Sequence, residues 1–152
     1  MLARFDRSGA KPVAKDEKIE KLRRVPLFAG FGNRELERLG MLTDEVDLPA
    51  GRVLMRQGDR GEELFVLMRG AAQVERDGRD LPALQADDFF GEIALVDGGP
   101  RTATVTLTED SALLVVGRKQ FQQLLEEFPH VRLQVLEALA QRVRSAERDA
   151  AH

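Results

Sequence analysis

Between Glu45 and Gly117 the sequence is repeatedly cut by turn residues: Pro49-Ala50-Gly51, Gly58-Asp59-Arg60-Gly61, Gly70, Asp77-Gly78 and Gly98-Gly99-Pro100. Segments this short leave little room for the crossover helices of a βαβ fold. They fit short strands joined by turns, the pattern of an antiparallel sandwich or roll. Asp77-Gly78 suits a two-residue hairpin, because both central positions of a type I′ turn need positive φ. Leu64-Phe65-Val66-Leu67-Met68 and Leu113-Leu114-Val115-Val116 are unbroken apolar runs, expected as strands buried on both faces.

On either side the apolar period is helical. Ile19, Leu22 and Val25 recur three apart within residues 15–25, and Pro26 stops that helix. Asn33 is the expected N-cap of a second helix, with Glu35 in its first turn and Leu36, Leu39 and Leu42 along it. After Gly117, one stripe of Phe121, Leu124, Leu125 and Phe128 runs to Pro129. A last helix carries Val131, Val135, Leu136, Leu139 and Val143 on a broad face expected to pack as core. Its Arg142, Arg144 and Arg148 are read as a solvated face that suits the helix dipole, and His130 as a surface residue between helices. The expected fold is mainly β with flanking helices. An antiparallel, jelly-roll-like β roll (a double-stranded β-helix) spans 45–117, with N-terminal helices before it and two C-terminal helices at 118–148. Residues 15–148 are expected as one domain, with a flexible leader at 1–14 and a tail at 149–152.

Composition excludes several functions. The 152 residues include no Cys, so disulfide frameworks and thiolate zinc sites are out. The only His are His130 and His152, so the strands cannot assemble a multi-histidine metal site. The formal charge is −3 and the pI about 5.5, which argues against attraction to nucleic acid or anionic lipid. No apolar run approaches the ~20 residues that cross a bilayer, and residues 1–18 lack the apolar stretch of a secretory signal. A cytoplasmic location without metal, cofactor or membrane contact is expected.

One segment carries chemistry: Phe90-Gly91-Glu92-Ile93-Ala94-Leu95-Val96-Asp97-Gly98-Gly99-Pro100-Arg101-Thr102-Ala103-Thr104-Val105. Gly91 has no Cβ and admits close approach. Glu92 to Leu95 can make one helical turn inside the roll, whose first N–H groups favour an anion. Arg101 returns to that place after the Gly98-Gly99-Pro100 turn, and its planar fork suits two phosphate oxygens. Glu92 accepts from a donor such as a sugar hydroxyl. An anion, a donating hydroxyl and an apolar wall together describe a ribose phosphate with its base.

This segment resembles the phosphate-binding cassette of the cyclic nucleotide-binding domain family. Its spacing from Glu92 to Arg101 is similar to that of protein kinase A regulatory subunits, and one residue shorter than in the catabolite activator protein. Val25-Pro26-Leu27-Phe28, Gly51 to Asp59 and Leu64 to Gly70 resemble the family's helical lead-in and early strands, so the likeness spans about 19–148. The resemblance implies that Arg101 pairs with the phosphate oxygens and Glu92 accepts from the ribose 2′-OH. It implies that backbone N–H groups at Ile93 and Ala94 cap the phosphate, and that Gly91 gives the ribose room. Thr102, beside Ala103, would offer a hydroxyl to phosphate or base, or serve as an ordinary strand residue. Val74 and Leu84 suit either an apolar bed for the purine or plain core. The last helix would be a lid, a dimerisation arm, or both.

The implied function is a non-catalytic module that binds a cyclic nucleoside monophosphate, cyclic AMP favoured over cyclic GMP. It would signal through the phosphate-binding turn and the C-terminal helices, to a second copy of the chain or to a separate effector protein. Two rivals belong to other classes. A small β-roll enzyme needs clustered His or carboxylates, or a nucleophile paired with a base, and 45–117 holds no His. A ligand-free scaffold of the same fold has no use for Glu92 and Arg101. Few residues follow Arg148, so nucleic-acid binding by this chain alone is not expected.

Overall fold

The computed structural model describes residues 15–150, with side chains described to residue 146. The leader expected at 1–14 lies outside the described residues. Helix α1 (Lys15–Arg23) ends before Pro26. Val25, next to the proline, is extended at φ −72° and ψ 122°, as the proline ring requires of its neighbour. Pro26 then opens a single 3-10 turn, Pro26–Phe28, where its missing N–H costs nothing. Helix α2 (Asn33–Leu42) starts one residue earlier than expected: Gly32 is its N-cap and Asn33 its first helical residue.

Eight strands follow in two four-stranded sheets. The first has the order β1 (Asp44–Leu48), β8 (Ser111–Gly117), β3 (Glu63–Arg69), β6 (Phe89–Phe90). The second has the order β2 (Val53–Met55), β7 (Thr104–Leu107), β4 (Ala71–Arg76), β5 (Arg79–Gln85). Every pairing between these strands is antiparallel. The β4–β5 hairpin turns at Asp77 and Gly78, both at positive φ (53° and 77°), as a type I′ turn requires. Helix α3 (Glu92–Asp97) interrupts the strands, and α4 (Arg118–Glu127) and α5 (Val131–Ala150) close the chain. The backbone stays helical at 149–150, where a tail was expected.

The continuous apolar runs are explained by two cores. Along β3, Phe65 and Leu67 point between the sheets and meet Val46, Leu113, Val115 and Val105. Leu64, Val66 and Met68 point the other way, onto Leu22, Phe28, Leu36 and Phe121 of the helical layer. A strand buried on both faces gains about 1.5–3 kcal/mol per large apolar side chain, so β3 and β8 form the spine of the molecule.

Helix α5 departs from the expected core packing. Val131 and Val135 are buried and Leu139 is half-buried, but Leu136 (62%) and Val143 (57%) are exposed. The buried face of α5 runs through Val131, Val135 and Ala138, so Leu136 and Val143 lie on its other side. Two polar clasps fix the helical layer. Arg38 on α2 donates to both carboxylate oxygens of Glu127 on α4, at 2.7 and 3.0 Å. His130, between α4 and α5, lies 2.6 Å from a carboxylate oxygen of Glu35 on α2. These partners hold both carboxyls below the usual range, Glu127 chiefly through Arg38 and Glu35 chiefly through His130.

Two predictions follow from this packing. Gly70 sits at φ +109°, and a Cβ there would lie 2.0 Å from Ser111 Oγ and 2.9 Å from its Cα. Backbone strain alone is about 1–3 kcal/mol, and Gly70→Ala adds the clash, so urea unfolding should show a loss at the top of that range. The lowered carboxyl pKa values mean that ionising Glu35 and Glu127 favours the folded state, a contribution present above pH 4.5, the ordinary value for these groups, and lost as pH falls through the lowered values. Unfolding midpoints should therefore fall below pH 4.5, and less steeply in the Glu127→Gln variant.

Candidate functional site

Gly91 is the pivot of the site. It stands at φ +85° as the residue before α3, a conformation that costs glycine little. A Cβ there would lie 2.6 Å from Arg101 Nη1 and 2.7 Å from the Glu63 carbonyl oxygen. On the far side, a Cβ on Gly61 would meet Arg101 Nε at 2.4 Å. The close approach at Gly91 is therefore made by the protein's own Arg101, where the sequence suggested space for a ribose. Two glycines on separate turns leave a slot, and the guanidinium fills it.

Arg101 is 5% exposed and Glu63 1%. Arg101 Nη1 donates to the Glu63 carbonyl at 2.9 Å, and Nη2 to its carboxylate at 3.3 Å. The guanidinium carbon lies 5.7 Å from the centre of the Phe65 ring, which stacks on Phe90 at 5.1 Å. The backbone around Arg101 is fixed as well: its N–H donates to Asp59 O at 2.7 Å, and its carbonyl accepts from Gly58 N–H at 2.9 Å. Arg101 is thus a buried cation, held by a buried carboxylate and aromatic rings.

Helix α3 runs a turn and a half, longer than the expected single turn. Gly98 ends it at φ 65°, its N–H donating to Ala94 O at 2.8 Å. Glu92, 6% exposed, occupies the first helical position, where a carboxylate suits the dipole. Its carboxylate pairs with Arg142 of α5. Arg142 is exposed, as its place on a solvated face implies, and it also reaches Glu92, which the sequence did not suggest. Arg142 continues the buried α5 positions Val131, Val135 and Ala138 at the next helical step, and that spacing was the overlooked signal.

Between α3 and the second sheet lies a cavity of about 410 Å³, within the roughly 300–1,000 Å³ of small-molecule sites. Gly91, Glu92, Ile93, Ala94, Arg101, Thr102 and Ala103 all line it. Val74 and Leu84 line it too, on β4 and β5. Met55, Arg76, Phe89 and Arg142, outside the 90–105 segment, also line it and were given no role in the site by the sequence. Arg76 donates from Nε to the Thr102 carbonyl at 3.0 Å. Asp97 also lines the cavity, and its carboxylate accepts from Gly99 N–H at 2.8 Å. Cationic groups, one buried carboxylate and an apolar strand face therefore surround one hollow. Among the described residues no group of three or more His, Cys, Asp or Glu is placed to hold a metal, and no helix is long and apolar enough to cross a membrane.

The buried pair gives a prediction of its own. Removing one partner of such a pair costs about 3–5 kcal/mol, so Glu63→Leu should lose that much stability in denaturant unfolding. A loss below 1 kcal/mol would show that Arg101 does not depend on Glu63.

The chain is similar in sequence and fold to known proteins. The chain is 28% identical over 130 residues to the CRP-like cAMP-activated global transcriptional regulator of Mycobacterium tuberculosis, covering 82% of this chain and 58% of that one. It is 31% identical to the cAMP-dependent protein kinase regulatory subunit of Emericella nidulans, covering 68% of this chain and 26% of that one. The N-terminal domain of a transcriptional regulator from Streptomyces coelicolor superposes with a TM-score of 0.76 at 35% identity, covering 85% of this chain and 93% of that one. The chain thus spans little more than half, or about a quarter, of the length of these curated relatives. The model of the cyclic nucleotide-binding domain matches residues 45–128, the roll together with α4. A roll interrupted by one short helix that faces a buried arginine is what that match covers, and this chain belongs to the cyclic nucleotide-binding domain family.

Proposed function

We propose that the cavity binds a cyclic nucleoside monophosphate, cyclic AMP in preference to cyclic GMP, and that the chain acts as a regulatory module without catalysis of its own. The observation that carries this is one hollow with Arg101 and the start of α3 on one wall and Val74 and Leu84 on the other. Such walls suit a phosphodiester monoanion at one end and a flat base at the other. Arg101 shares its fork between Glu63 and the phosphate oxygens. The Ile93 and Ala94 amides cap the phosphate, Glu92 accepts from the 2′-hydroxyl, and Thr102 offers its hydroxyl at the exposed rim. The names of the mycobacterial and fungal relatives, cAMP-activated and cAMP-dependent, support the choice of base.

Signalling needs a state that the ligand favours, since a ligand shifts an equilibrium only through differential affinity. The moving parts are the 91–98 turn and α5, already joined by the Glu92–Arg142 pair. A ligand hydroxyl on Glu92 alters the partner of Arg142 and so reaches α5. The output passes to a second copy or to a separate effector. Exposed Leu133, Leu136, Ala140 and Val143 form a stripe along α5, three and four residues apart, the spacing of a two-helix seam. The reading includes a cytoplasmic location and needs no metal or cofactor.

Arg101→Leu is a poor probe, because it strands the buried Glu63 and costs stability. Arg101→Lys keeps the charge and loses the fork. Titration calorimetry should show its affinity for cyclic AMP reduced at least tenfold, about 1.4 kcal/mol, and unchanged affinity would refute the role of Arg101. Glu92→Gln should weaken cyclic AMP more than 2′-deoxy cyclic AMP in competition, and equal losses would remove Glu92 from the sugar. Parallel titrations with cyclic AMP and cyclic GMP test the preferred base.

A further inference from the structure

Glu63 opens β3 in the same alternation as Phe65 and Leu67, the residues that face between the sheets. It is a charged residue in a run of buried apolar ones, and it is itself 1% exposed. Two of its groups meet Arg101. Its backbone carbonyl accepts from Nη1 at 2.9 Å, and its carboxylate accepts from Nη2 at the longer 3.3 Å. The backbone contact already aims the guanidinium, so what the side chain adds is charge. That charge completes a balance. Of the ionic groups lining the nucleotide cavity, Arg142 pairs with Glu92, and Arg76 and Asp97 are opposite in sign. With Glu63 behind Arg101, three arginines stand against three carboxylates among the described residues, and the hollow carries no net positive charge.

We infer that Glu63 sets the charge class of the ligand: it admits a singly charged phosphodiester and turns away the doubly charged phosphate of an opened ring. The inference rests on the reading of this cavity as a nucleotide site. Taking an ion out of water costs an energy that rises with the square of its charge, whereas the gain in a fixed field rises only in proportion to the charge. An unbalanced cation in the wall would answer the second charge of a phosphomonoester. A balanced one leaves that charge without a counter-charge in a buried place. The cyclic diester carries one negative charge, and the monoester formed when water opens its ring gains a second above about pH 6. Base and sugar are the same in both, so the carboxylate beside Arg101 separates them by charge.

The test titrates the chain with cyclic AMP and with adenosine 5′-monophosphate, by calorimetry at about pH 5 and about pH 8, on either side of the second phosphate ionisation. Cyclic AMP keeps its charge across that range and so reads any titration of the protein itself. In the unaltered chain, affinity for the monophosphate relative to cyclic AMP should be about tenfold or more higher at the lower pH. Glu63→Gln keeps an accepting oxygen and removes the charge. In that variant the ratio should be nearly equal at both pH values, through tighter binding of the monophosphate at the higher one. The smaller Glu63→Ser should behave alike and serves if Glu63→Gln does not fold. A merely structural role moves both ligands together and leaves the ratio at each pH unchanged. A ratio independent of pH in the unaltered chain overturns the inference, as does an undiminished dependence in the variants. Either result alongside tight cyclic AMP binding removes the role of Glu63 alone, whereas absence of cyclic AMP binding at both pH values overturns the nucleotide reading with it.

Discussion

A buried guanidinium organises this molecule's site. Arg101 lies in a slot that exists because Gly61 and Gly91 lack side chains, and its charge is met by the equally buried Glu63. Each part requires the others. Any side chain at 61 or 91 fills the slot, and loss of Glu63 leaves a charge in a medium that penalises it heavily. The turn at 58–61 and the strand that brings Glu63 are thereby fixed to one point. The part of the cavity wall formed by Arg101 is therefore held in place by the protein's own groups.

The same arrangement shapes the function. A cation already balanced by a carboxylate does not draw anions indiscriminately, and a singly charged ligand asks less of it than a doubly charged one. The second charge pair, Glu92 with Arg142, ties the mouth of the cavity to α5. One pair sits in the body of the roll and the other bridges to a helix with an exposed apolar stripe. On the proposed reading, a ligand touching both would connect the roll to α5.

Much of the fold was legible because its signals are local. The Asp77-Gly78 turn, the stripes of α2 and α4 and the double-sided apolar runs of β3 and β8 each follow from backbone geometry or from burial on two faces. The liners between Phe90 and Val105 were legible for another reason: that segment folds back on itself, so nearness in sequence becomes nearness in space. What escaped depends on distant contacts. Glu63 lies 38 residues from Arg101, and nothing around it marks a buried partner. Arg142 is exposed as its charge suggests, and only its register, one step beyond Val131, Val135 and Ala138, hints at the reach to Glu92. The exposure of Leu136 and Val143 was hidden because apolarity shows that a side chain gains from burial, and says nothing of what buries it.

The central claim is that the cavity takes a cyclic phosphodiester onto Arg101 while Glu92 holds its sugar. A crystal structure of the chain grown with cyclic AMP tests this most directly. The account predicts phosphate oxygens within hydrogen-bond distance of the Arg101 guanidinium and the α3 amides, with the ribose on Glu92 and the base against Val74 and Leu84. A nucleotide seated elsewhere, with Arg101 still engaged by Glu63 alone, would contradict it.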